Sequence, residues 1–242
     1  MKKILLLLVC LTIGILWADI SNAQGFTPPN FTLGLTLDGN FAVNNAHGAN
    51  LSSPGDSYGM VWGRGVTIFG KMGLGIRKNH RITLSAGYNK MIHNDASTIP
   101  FFTIKPDAPF TIYDIWTGAL GYEYVLRARC SSRPFLGIAV TGNYIVSDNT
   151  APTLFTQNFE NSFRIGLMVS AGYEWTIDKA QKYGISVGAK YNLTNLIGTK
   201  NGANTMNDAD GPGGSGYFRR IGIMSLNVGF NIYTGVKPYR AK

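Results

Sequence analysis

The chain has 242 residues and a formal charge of +9, yet only 14% of its residues are charged, against roughly a quarter in ordinary soluble domains. So few charges argue against a surface bathed in water. The basic residues scatter over turns and strand ends without the stripe that nucleic acid requires, which excludes nucleic acid as a partner, and two cysteines, Cys10 and Cys130, exclude a disulfide scaffold.

Lys2 and Lys3 precede an apolar run from Ile4 to Trp17, and Ser21-Asn22-Ala23 supplies small residues at the −3 and −1 positions. This reads as a secretory signal peptide over residues 1–23, cut before Gln24. Cys10 lies inside the apolar run after Val9, so lipoprotein processing there is disfavoured. Removing the first 23 of 242 residues leaves 219, and the loss of Lys2, Lys3 and Asp19 lowers the charge from +9 to +8. Residues 24–242 then form one domain, with Cys130 as its single cysteine. No later segment approaches 18 continuous apolar residues, so no membrane helix is expected.

From Phe31 the hydrophobicity alternates with period two, the signature of strands with one apolar face. The first strand, 31–44, carries Phe31, Leu33, Leu35, Leu37, Phe41 and Val43 on one face and Thr32, Gly34, Thr36, Asp38 and Asn40 on the other. The second, 60–76, has Trp62, Val66, Ile68, Met72, Leu74 and Ile76 in phase; Arg64, flanked by Gly63 and Gly65, interrupts that phase and predicts a bulge. After the turn 77–80, the third strand, 81–93, presents Ile82, Leu84, Ala86, Tyr88 and Ile92. A connection with three prolines leads to the fourth, 112–127, with Trp116, Leu120, Tyr122, Tyr124 and Leu126 on its apolar face. The fifth, 134–147, has Leu136, Ile138, Val140, Tyr144 and Val146 in phase.

The clearest alternation follows. Phe159, Phe163, Ile165, Leu167, Val169, Ala171, Tyr173 and Trp175 share one parity, and Tyr183, Ile185, Val187, Ala189, Tyr191 and Leu193 alternate likewise beyond a polar turn at 178–182. These arms read as a hairpin, strands six and seven. The eighth strand, 219–233, carries Met224, Leu226, Val228, Phe230 and Ile232, and a basic tail, 234–242, closes the chain.

The opposite face is built of Gly, Ser, Thr, Asn and Ala with an occasional charge. Such a face suits the crowded interior of a narrow barrel, which turns the apolar face toward lipid. Connections alternate long and short, as the outer loops and periplasmic turns of transmembrane barrels do, and both termini fall on the periplasmic side. The prediction is an all-β, up-and-down antiparallel transmembrane barrel of eight strands. Rings near the strand ends define two expected belts: Trp62, Tyr88, Trp116, Tyr144, Phe163 and Tyr191 at the outer rim, and Tyr124, Phe135, Trp175, Tyr183 and Tyr233 at the inner rim.

The alternating strands, the loop asymmetry and the segments Leu-Gly-Tyr-Glu-Tyr (120–124) and Ala-Gly-Tyr-Glu-Trp (171–175) resemble the small outer-membrane β-barrel families of the OmpA, OmpX and OmpW type. The resemblance implies a Gram-negative outer-membrane location, outer-membrane lipid and the assembly machinery as partners, and a monomer. It departs from the pattern at the C-terminus, where Phe230, Ile232 and Tyr233 precede a tail instead of ending the chain.

Inward parity assigns Asp38, Lys71, Glu123, Glu160, Arg164, Glu174 and Lys190 to the lumen, both signs in similar number. Buried charges must pair, so a salt-bridged plug is the favoured reading and a small gated pore or transporter the alternative. His93-Asn94-Asp95 and Asp208-Ala209-Asp210 have the residue types of a water-activating site, but Asp and Asn are ordinary loop residues; His47, His80 and His93 lack a serine partner. Asn207, Asp208 and Asp210 match no standard calcium loop. Neither enzyme activity nor a metal or cofactor is expected. The apolar loop 97–104, continued by Pro109-Phe110, is expected to fold over the barrel mouth, and the alternative is a contact patch for a partner, host surface or apolar ligand.

Overall fold

The computed structural model describes residues 26–44, 46, 60–92, 111–149, 161–197 and 220–237. Eight strands follow one another: β1 (Phe31–Asn44), β2 (Trp62–Leu74), β3 (His80–Ile92), β4 (Thr111–Val125), β5 (Ser132–Asn149), β6 (Ser162–Thr176), β7 (Tyr183–Ile197) and β8 (Ile221–Thr234). Each pairs antiparallel with its sequence neighbours, and β8 returns to β1, closing the barrel. Among the described residues there is no helix. Strands of 13 to 18 residues exceed the ~9–11 needed to cross a bilayer.

The register fixes the shape. A row of paired residues starts at Phe163 and runs through Tyr144, Trp116, Tyr88, Val66, Leu37, Val228 and Val187. It arrives back on β6 at Tyr173, ten residues along the strand. A stagger of this size over eight strands corresponds to a tilt of about 40° and an interior just wide enough for side chains.

The apolar parity faces outward all round. Leu37, Leu84, Leu120, Val140, Val187, Leu226 and Val228 are between 45 and 65% exposed, which in a water-soluble domain would be a contiguous apolar surface of forbidding size. Thr32, Thr36, Asn40, Thr141, Asn143, Asn227 and Asn231, of the other parity, are buried inside. Short connections, 75–79, 126–131 and 177–182, lie at one end of the barrel, and the strand ends joined by the long connections lie at the other. The short turns are locally specified: Gly75 has φ +67° in the first, and in the third Asp178 accepts from the backbone N–H groups of Lys182 and Tyr183 at 3.1 and 2.8 Å. Cys130 is buried in the second, which disfavours an intermolecular disulfide.

Three local features differ from expectation. The register through Gly39, Arg64 and Lys90 is continuous, so there is no bulge at Arg64; its side chain takes its turn on the outward face. The irregularity lies in β7 instead, where pairing jumps from Leu167↔Leu193 to Ile165↔Ile197, leaving Thr194 and Asn195 both buried. The interior is also not uniformly small and polar. At the long-loop end Ala42, Met60, Met91, Tyr113, Ile115, Ile145, Ile221 and Ile223 form a buried apolar cluster.

Candidate functional site: the barrel lumen

At the short-turn end, β2, β3, β4, β5 and β6 each send one charged side chain inward. Lys71 Nζ lies 2.8 Å from Glu123 Oε2 and 2.6 Å from Glu174 Oε1. Arg81 Nη1 lies 3.0 Å from Glu123 Oε1 and 2.9 Å from Glu174 Oε2. Each cation therefore bridges both carboxylates, and each carboxylate accepts from both cations. Arg133 stands at the edge, its Nε 3.9 Å from Glu174 Oε2 and its Nη2 donating to Thr176 Oγ1 at 2.9 Å. None of these five side chains is more than 9% exposed. Aromatic faces complete the shell: Lys71 Nζ is 4.4 Å from the Phe135 ring centre and 5.0 Å from that of Phe69, and the Arg133 guanidinium is 4.4 Å from that of Tyr233. Three cations against two carboxylates leave the cluster one positive charge in excess.

Nearer the middle, Lys190 Nζ sits 3.0 Å from Asp38 Oδ1, and Thr36 and Thr67 donate to the same carboxylate at 3.2 and 2.6 Å. Asn143 links Thr117, Thr141, Asn192 and the Thr194 carbonyl into a third, uncharged network. A cavity of about 120 Å³, lined by residues including Asp38, Lys71, Glu123 and Lys190, lies between the charged groups. It has room for a few waters. Beyond it comes the apolar cluster.

Of the lumen residues expected from sequence, Lys71, Glu123 and Glu174 meet in one cluster and Asp38 and Lys190 in another. Arg164 is buried near the long-loop end of β6, where Nη1 donates to the Phe163 carbonyl at 3.1 Å. Glu160 lies outside the described residues, as do His47, His93, Asp95, Asn207, Asp208, Asp210 and the 97–110 loop. Arg81 and Arg133 were missed. Arg81 shares parity with Thr83 and Ser85, and that signal was available; Arg133 opens β5 beside a turn and looks like a turn residue.

The rings divide differently from expectation. Trp116, Tyr144 and Phe163 are well exposed on the outward face, and Tyr88 packs on Trp116 with centres 4.7 Å apart. Trp62 and Tyr191 are half-buried. At the other end Tyr124 and Tyr183 face outward, Tyr183 stacking on Phe230 at 5.9 Å, and Trp175 stacks on Tyr173 at 5.6 Å. Phe135 and Tyr233 do not join them. Both have inward parity and sit in the lumen against Lys71 and Arg133. Among the described residues no group of three or more His, Cys, Asp or Glu gathers as a metal site.

No protein-family model matches the sequence, and no curated protein matches it either. Solved structures do match. The neisserial surface protein NspA is 14% identical, covers 87% of this chain and 99% of its own, and superposes with a TM-score of 0.52. OprG of Pseudomonas aeruginosa (11% identity, 87% and 99% coverage, TM-score 0.44) and Ail of Yersinia pestis (10%, 85% and 100%, 0.41) are also similar. The fold is that of the small eight-stranded barrels of Gram-negative outer membranes. The apolar band on this chain's own outer face is the surface that such a barrel turns to lipid.

Proposed function

We propose that this chain is a non-enzymatic structural barrel whose lumen is shut twice, and whose work is to brace the outer membrane and present its long loops to surface partners. The observation that carries this reading is the five-membered ion cluster at the short-turn end. It reaches across the lumen between β2 and β6 in a barrel already too narrow for an open channel, and the apolar cluster at the other end adds a second barrier that hydrated ions cross only at a large desolvation cost. Membrane lipid is the principal partner, the assembly machinery acts on the chain during insertion, and the barrel works as a monomer.

A gated pore is the alternative. The two-by-two bonding of Lys71 and Arg81 with Glu123 and Glu174 favours it, because partners can be exchanged without stranding a charge. Planar bilayers decide between them. The plug reading expects the reconstituted barrel to be silent, and to stay silent in Lys190→Ala, since the apolar cluster remains. Unitary steps in the wild type, altered in size or lifetime by Glu123→Ala or Lys190→Ala, would establish the pore instead.

A further inference from the structure

The outward face is not apolar throughout. One row of register partners runs Leu226, Gly39, Arg64, Lys90, Asp114 across β8, β1, β2, β3 and β4. Arg64 is exposed and Lys90 half-exposed on the face that meets lipid. They stand directly opposite each other, a placement that repels when both partners carry the same charge. Neither forms an ion pair or a hydrogen bond within the described residues. Asp114 is next in the row, but it makes no ion pair with Lys90; its Oδ1 accepts the Tyr88 hydroxyl at 2.5 Å.

Beside the two cations the surface is hollow. Gly39 has no side chain, and a Cβ built there would find nothing nearer than the Leu226 carbonyl oxygen at 3.9 Å. The resulting groove has a volume of about 950 Å³, with Leu37, Val66, Val187, Leu226 and Val228 along it and Arg64, Tyr88 and Lys90 at one end. Arg64 is two residues from the long-loop end of β2 and Lys90 two from that end of β3. Charges on a lipid-facing strand cost about 2–4 kcal/mol at the midplane and about 0–1 near the interface, so this height is where a cation pair is tolerated and where headgroups lie.

We infer that this groove binds a phosphorylated, acylated lipid of the outer leaflet, with Arg64 and Lys90 holding its phosphate and the hollow over Gly39 taking an acyl chain. The inference rests on the membrane assignment above. Two adjacent cations select for the number of charges. A phosphate monoester, as on lipid A, carries about −1.5 to −2 at neutral pH, whereas the diester of a phospholipid carries one. Arg64 supplies a bidentate fork and Lys90 a point charge. Asp114, whose Oδ1 accepts the Tyr88 hydroxyl, leaves the row a net positive charge, so the attraction still grows with the charge of the headgroup.

The test uses the full mature barrel in detergent micelles, offered bis-phosphorylated lipid A or phosphatidylglycerol, with retained lipid counted by native mass spectrometry. The wild type should retain lipid A in preference to phosphatidylglycerol. Arg64→Gln with Lys90→Gln should cut that retention about tenfold or more. Gly39→Leu, which has space for its side chain, should do the same by filling the hollow without touching a charge. Each variant should still shift its gel mobility on boiling, showing a folded barrel. A folded barrel in which either variant retains lipid A like the wild type, or in which phosphatidylglycerol competes equally, overturns the lipid site and leaves the membrane assignment standing. A chain that fails to enter micelles or vesicles at all overturns that assignment instead.

Discussion

Glu174→Gln should destabilise the barrel by about 3–5 kcal/mol, the usual cost of removing one member of a buried charge cluster. Glu174 is fully buried and touches Lys71, Arg81 and Arg133. Its neutral amide leaves three buried cations facing Glu123 alone. Urea unfolding in phospholipid vesicles, followed by tryptophan fluorescence, measures the loss. The companion variant isolates the cause. Lys71→Met with Glu123→Met removes one charge of each sign, leaves Glu174 paired with Arg81, and should cost much less than Glu174→Gln. If the matched removal costs as much, packing and not charge balance holds this end together.

Leu120→Arg is the second large effect. Leu120 is 61% exposed, on the outward face of β4 between Leu84 and Val140. In a water-soluble protein such a surface change stays within about 0.5 kcal/mol. On a lipid-facing strand near the midplane it should cost about 2–4 kcal/mol. The same unfolding assay reads it, and the penalty should shrink when arginine is moved to Tyr144, nearer the rim.

The period of two was legible because the two faces of most strands differ in chemistry: Leu33, Leu35 and Leu37 against Thr32, Gly34 and Thr36 leave one solution for β1. Eight strands, their order and their facing followed. The long-loop end was not legible for the same reason in reverse. Met91-Ile92, Ile112-Tyr113, Ile115-Trp116 and Ile145-Val146 are apolar on both parities, so alternation fades where the apolar cluster forms. Phe135 and Tyr233 were placed in a belt because rings near strand ends suit an interface, although their parity pointed inward; the cations beside them are what such rings cover. Arg64 reads as a break in phase because it is a charge on the apolar parity, flanked by Gly63 and Gly65. The continuous register shows that the charge is in phase, beside Lys90. Parity named most of the lumen charges, but their partners depend on which residues from non-adjacent strands reach one height. That is set by the ten-residue stagger, which no single strand encodes.

The central claim is that the apolar parity faces lipid and the Gly/Ser/Thr parity faces the interior. Nitroxide labels on a Cys130→Ser background test it directly, attached singly at Leu84, Leu120, Val140 and Leu226 in vesicle-inserted barrel. All four should relax strongly with dissolved oxygen, which concentrates in hydrocarbon, and weakly with a water-soluble nickel chelate. Four labels relaxed by the nickel chelate and shielded from oxygen would mean that this face meets water, and would contradict the claim.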